Sequence, residues 1–239
     1  MKFNKKVLIL GASSDIGLSI MKIYLNNNYE ILAHYNKGNK KFFNFVNSND
    51  KIKIIKFNFL TSINKIERFL KKRIFKNYSV LINASAHLKE IKFTKTKLSD
   101  LENILKVNLY PGILLTQTMG QQMNKKKWGR IVNLGSIGVK FGGGLKNFPY
   151  SFSKHSLEFF PNETKKWVKN NVLINTIRVG ATDTKLHSKL PSKDLKKRAK
   201  IIPMRRMAKP NEIAEFVYFL GSEENTYISN QVLAISGGE

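Results

Sequence analysis

The 239-residue chain has no cysteine, which excludes a disulfide framework, a thiolate nucleophile and any Cys-ligated zinc or iron–sulfur centre. Its 4 histidines, at 34, 87, 155 and 187, show no metal-ligand spacing, so no metal site is expected. Long apolar runs are also missing, and nothing approaches the ~20 residues that span a bilayer. The run Val7–Leu10 follows Lys5 and Lys6 but is too short for the ~7–15-residue core of a secretion signal, and Gly11 ends it. A cytoplasmic protein is expected. Acidic side chains are scarce, 16 against 42 Lys+Arg, for a formal charge of +26. Such a charge invites a polyanion partner. The lysines, however, are spread along the chain, and no helix-turn-helix, zinc finger or aromatic–basic RNA motif accompanies them. Nucleic acid is not the expected partner.

Hydrophobic residues make up 42% of the chain, enough for a sizeable core. Short β-branched apolar runs alternate with amphipathic stretches from end to end. The runs are Val7–Leu10, Glu30–Tyr35, Ile52–Phe57, Val80–Asn83, Arg130–Leu134, Leu173–Val179 and Gln231–Ile235. Helical periodicity marks Ile16–Leu25, Ile63–Phe75, Leu98–Met123, Tyr150–Lys169 and Pro210–Leu220. Apolar strands alternating with helices predict one doubly wound α/β domain over residues 1–239. Its seven-stranded, mostly parallel sheet has helices on both faces. One basic segment, 184–209, interrupts the alternation and reads as either a solvated surface helix or a lid over the ligand crevice.

Gly11-Ala-Ser-Ser-Asp-Ile-Gly17 follows the first run and opens a helix. Glycines there permit a tight turn and close approach of the backbone to a pyrophosphate, which the helix N-terminus stabilises. Asp15 stands where a middle glycine is usual, and it can cap the helix. Ser13 and Ser14 add hydroxyl donors. About twenty residues on, an acid would bind a ribose 2′-hydroxyl and a base would suit a 2′-phosphate. The second run instead ends Tyr35-Asn36-Lys37, with no acid before Asp50. NADP(H) is therefore favoured over NAD(H).

Tyr150-Ser-Phe-Ser-Lys154 places a phenol and an ammonium on one helix face. A lysine charge should lower the phenol's pKa from its ordinary ~10 toward a useful acid–base value. Ser136 and Asn83-Ala-Ser85-Ala both close strands at the edge where open α/β sheets bind ligands. Asn108 lies inside the long helix from Leu98, where a buried polar side chain needs a use.

These motifs, in this order and over essentially the whole length, resemble the short-chain dehydrogenase/reductase family. The resemblance implies a Rossmann fold and an oxidoreductase that interconverts a carbonyl and a secondary alcohol by hydride transfer. Tyr150 would be the acid/base, Lys154 would tune it and hold the nicotinamide ribose, Ser136 would bind the substrate oxygen, and Asn108 would hold a water. The cofactor would lie along Gly11, Ser13, Ser14, Asp15, Ile16, Gly17, Tyr35, Asn36 and Lys37. Asn58 and Phe59 would stand near adenine; Asn83, Ala84, Ser85, Gly180, Thr182 and Thr184 would stand near the nicotinamide. Among relatives the chain looks most like 3-oxoacyl-carrier-protein reductases. Lys127 matches one basic docking position for an acidic carrier, while Asn171 stands at the second. A sugar or other small ketone, and a non-catalytic cofactor-binding sensor, remain alternatives. A homo-oligomer, tetramer or dimer, is also implied. Pro161 should kink the helix after Tyr150.

Overall fold

The computed structural model describes residues 3–185 and 195–239. Seven strands form one sheet in the order β3-β2-β1-β4-β5-β6-β7. They are β1 (Lys6–Leu10), β2 (Glu30–Tyr35), β3 (Ile52–Lys56), β4 (Val80–Asn83), β5 (Gly129–Leu134), β6 (Val172–Val179) and β7 (Gln231–Ile235). Every pairing is parallel. The chain therefore returns to the amino edge after each strand, and all seven carboxyl ends gather on one side.

Strand alternation distributes the core over both faces. Val7 and Ile9 pack with Leu18, Met21, Ile213 and Val217, while Leu8 and Leu10 pack with Phe69, Leu115, Met119 and Trp167. The first group belongs to α1 (Asp15–Asn26) and to α9 (Pro210–Gly221). The second draws on α3 (Ile63–Leu70) and α5 (Tyr110–Lys125). A short helix, α2 (Lys40–Asn47), follows β2, capped where the Asn39 side chain accepts from Phe42 N. At eight residues it is too short for its periodicity to stand out in the sequence.

Both long helical patterns are divided by proline. The stretch Leu98–Met123 is two helices, α4 (Leu98–Asn108) and α5, with Leu109 between them at φ −114°. Pro111 supplies no N–H and its ring would clash with the carbonyl four residues back. Asn108 is thus the last residue of α4 and not an interior one. The expected kink at Pro161 is instead a complete break. Helix α6 (Phe148–Ser156) stops early, and Pro161 is the N-cap of α7 (Asn162–Trp167). The interrupted end is fixed to β6, where Thr176 donates to the Leu157 carbonyl and Arg178 makes a bidentate pair with Glu158 at 2.7 Å. Of the basic segment, 186–194 lies outside the described residues, and the remainder includes α8 (Leu195–Ile201).

The amino edge is held by an internal guanidinium. Arg130, 1% exposed, stacks on Trp128 and donates to the carbonyls of Gly129, Asn171, Ser222 and Asn225 at 2.8–3.0 Å.

Candidate active site

A cleft of about 1150 Å³ opens along the carboxyl edge of the sheet. Its first wall is the β1–α1 turn. Ser14 caps α1 by accepting from Gly17 N, so the cap is Ser14 and not Asp15. Asp15 instead accepts from Lys185 N at 2.8 Å, joining the turn to the segment after β6. Gly11 has φ +73°, and an added Cβ would stand 2.6 Å from the Ala84 carbonyl oxygen. Gly17 N is taken by the Ser14 cap and Ser14 N by the Gly11 carbonyl, which leaves the N–H groups of Asp15 and Ile16, at the start of α1, as candidate anion donors. Gly11, Ser13, Ser14, Asp15 and Ile16 line the cleft. Gly17 sits behind it, because a Cβ there would lie 2.4 Å from Gly11 O.

Next along the cleft come Asn36, Lys37, Asn58 and Phe59, and Ser13 donates to the Lys37 carbonyl at 2.9 Å. Tyr35 is not brought to the cleft; its ring packs on Phe42 and Phe43 at 5.2 and 5.6 Å. Sequence reasoning passed over His34. Buried at the end of β2, it takes Gly11 N on Nδ1 and bonds the Phe57 carbonyl through Nε2, so it buttresses the glycine turn. Burial pushes its pKa from 6.5 down to about 4. An unfolded imidazole protonates near 6.5, so stability should fall as pH drops from 6.5 toward 4. By about pH 4.5 the loss reaches about 2–3 kcal/mol. Urea unfolding of wild type and His34→Asn at pH 7.5 and 4.5 checks this, and equal pH sensitivity of the two proteins contradicts it.

At the centre, Ala84, Ser85, Ser136, Tyr150 and Lys154 face the cleft together. Ser136 lies two residues past β5 and caps the turn that follows, accepting from Gly138 N at 3.2 Å. Lys154 is 2% exposed. Its Nζ donates to the carbonyls of Ser85 (3.1 Å) and Leu134 (2.7 Å) and stands 5.9 Å from the centroid of the Tyr150 ring. With neutral partners only, burial lowers its pKa to about 7. Tyr150 does not show the expected lowering. Burial pushes it up to about 12, opposed by a hydrogen bond to Ser136. Asn83 lies beneath the cleft, bonded to Asn133 and Ser85. Asn108 is also behind the wall. Its amide clamps the His87 backbone through both atoms and donates to Ser153 Oγ, which in turn donates to the Tyr150 carbonyl. Gly180, Thr182 and Thr184 complete this end of the cleft. His87, Asn147 and Glu239 also line it without a sequence motif to mark them, as does Arg198 from the basic segment 184–209.

A parallel doubly wound sheet with a glycine turn and a Ser–Tyr–Lys cluster on its carboxyl edge defines a nucleotide-dependent oxidoreductase of Rossmann type. The chain belongs to the short-chain dehydrogenase/reductase family, matching the family described as enoyl-(acyl carrier protein) reductase over residues 11–239. It is 35% identical over 160 residues to the 3-oxoacyl-(acyl-carrier-protein) reductase FabG of Aquifex aeolicus. That segment covers 66% of this chain and 64% of the relative. The FabG of Buchnera aphidicola from Acyrthosiphon pisum is 26% identical over 243 residues, covering 100% of this chain and 98% of the relative. The fold matches a 3-oxoacyl (acyl-carrier-protein) reductase from Agrobacterium tumefaciens with NADP bound, at TM-score 0.85 and 20% identity. That match covers 99% of this chain and 95% of the other. ElxO with NADP bound gives 0.84 and 23%, covering 100% and 98%. No described helix is long and apolar enough to cross a membrane, and no group of three or more potential metal ligands occurs among the described residues.

Proposed function

We propose that the chain is an NADPH-dependent reductase of 3-oxoacyl thioesters, with Tyr150 as proton donor. The observation that carries this is the juxtaposition of Ser136, Tyr150 and Lys154 in one cleft with the glycine turn. The residues fit a dinucleotide phosphate, because the Gly11 approach leaves no room for a Cβ and the turn ends on an open helix N-terminus. Backbone donors of Ser13, Asp15 and Ile16 would hold the pyrophosphate, Lys37 the 2′-phosphate, and Lys154 the nicotinamide ribose. A reduced nicotinamide supplies the hydride. Ser136 donates a hydrogen bond to the substrate carbonyl oxygen, and Tyr150 delivers the proton that turns this oxygen into a hydroxyl. Asn108 acts at one remove, through Ser153 and the Tyr150 carbonyl, by holding the start of α6 in place. Lys37, Lys140, Lys185 and Arg198 line the cleft and, with the +26 charge, suit an acidic carrier protein.

Assembly into a tetramer or dimer is part of the proposal, supported by exposed apolar side chains at Phe93, Leu98, Ile113 and Phe152. So is a cytoplasmic setting, where NADPH and carrier-bound acyl chains would meet the protein. The test is reduction of acetoacetyl thioester with NADPH and with NADH. NADPH is expected to give the higher kcat/KM, and Lys37→Glu to cut the preference about tenfold, the worth of one charged hydrogen bond. Cofactor binding with no thioester turnover indicates a sensor, and turnover confined to sugars or simple ketones moves the substrate class.

A further inference from the structure

His87 lines the cleft, is titratable, and takes no part in the proton transfer proposed above. Residues 84–88 form one wall of the cleft. Three ties fasten this wall and its continuation to α6, the helix of Tyr150 and Lys154, and to the turn before it. Lys154 Nζ donates to the Ser85 carbonyl at 3.1 Å. Asn108 accepts from His87 N at 2.6 Å, donates to the His87 carbonyl at 3.1 Å, and donates to Ser153 Oγ at 2.9 Å. Ile91 N donates to the Lys146 carbonyl at 2.7 Å, just before α6. His87 therefore belongs to the same frame as Tyr150.

The polar side chains around His87 are already committed. Ser85 Oγ donates to Asn83 Oδ1 at 2.7 Å or to the Val107 carbonyl at 3.0 Å. Lys89 Nζ pairs with Asp100 at 3.0 Å. Ser136 and Tyr150 are bonded to each other and are assigned to the reacting oxygen. The half-buried His87 ring, in contrast, has no hydrogen-bond partner among the described residues. Burial and the nearby Lys89 charge lower its pKa from 6.5, so at pH 7.5 the imidazole is neutral, with one N–H and one lone pair.

A 3-oxoacyl thioester carries two carbonyls separated by a single carbon, and only the first of them reacts. The thioester oxygen enters the cleft with it, and burial there without a donor would cost about 1–3 kcal/mol. We infer that His87 donates its ring N–H to this second oxygen and so selects 1,3-dicarbonyl substrates over simple ketones. Holding two oxygens at once requires two donors at a fixed separation. The Asn108 clamp supplies that, because it ties the His87 backbone, through Ser153, to the backbone of Tyr150. The assignment rests on the thioester reading above and adds the side chain that recognises the carbonyl left unreduced.

Two substrates separate the outcomes, the acetoacetyl thioester of ethanethiol and the matching ketone in which a methylene replaces the thioester carbonyl. His87→Leu should raise the KM of the thioester about tenfold and leave that of the ketone within about twofold of wild type. His87→Gln keeps an N–H donor and should hold both KM values within about threefold of wild type. Equal shifts of both substrates in His87→Leu overturn the inference and leave His87 as a wall filler. A thioester defect in His87→Gln as large as that in His87→Leu also overturns it, because the donor is then not what matters. Binding of the same thioester to the NADP+ complex, where no hydride is available, is read by calorimetry. It should weaken about tenfold in His87→Leu. Wild-type protein that binds the thioester in this His87-dependent way but never reduces it refutes the reductase reading and keeps the assignment. Reduction of the thioester with an affinity indifferent to His87 does the reverse.

Discussion

Tyr150→Phe should lower turnover about a thousandfold while leaving melting temperature and NADPH affinity close to wild type. The phenylalanine ring fills the same space, and the hydrogen bonds around Tyr150 that secure α6 are made by its backbone and by Ser153. What disappears is the hydroxyl bonded to Ser136, which is the proton donor of the proposed reaction. Burial pushes its pKa up to about 12, so this phenol is protonated at neutral pH, the state from which the proposed proton transfer starts. Steady-state rates, a thermal melt and a fluorescence titration on the same preparation check the prediction. Retention of a tenth of wild-type activity removes Tyr150 from the proposed role.

Arg130→Met should destabilise the fold by about 3–5 kcal/mol, the consequence of leaving several buried carbonyls without their donor. Methionine replaces much of the apolar volume over Trp128 but donates nothing. The carbonyls of Ser222 and Asn225 then lose their guanidinium donors inside the protein. Burial already lowers the Arg130 pKa to about 10, so at neutral pH the group is charged and makes these bonds as a cation. Urea unfolding at pH 7.5 measures the effect. A loss under 1 kcal/mol means that water replaces the guanidinium at no great cost.

Much of the architecture was legible because each strand is a short apolar run bounded by turn residues, and both faces of the sheet are covered. Val7–Leu10, Glu30–Tyr35, Val80–Asn83 and Gln231–Ile235 fall within a residue of the strands observed. The helix breaks were less legible. Apolar periodicity runs through Leu109 and through the α6–α7 gap, and only the local consequences of Pro111 and Pro161 divide it. Of the candidate site, the meeting of Tyr150, Lys154 and Ser136 in one cleft was foreshadowed by spacing and strand ends. The direction of the Tyr150 shift was not, because spacing shows a neighbouring lysine and conceals the burial that raises the phenol's pKa. Tyr35 illustrates a further limit: a strand-end residue faces the ligand or the next helix according to packing partners, here Phe42 and Phe43, that lie outside the motif. Glu239 and Arg198 come from elements far apart in sequence and meet only in the fold.

Strand β5 carries the Arg130 anchor near its beginning and Ser136 just past its end, about 20 Å apart at ~3.3 Å per residue. Mutational load therefore separates along one strand. Changes at the foot register as thermodynamic damage with little bearing on specificity. Under the proposed function, changes at the crest alter ligand recognition instead, on a scaffold whose anchorage is untouched.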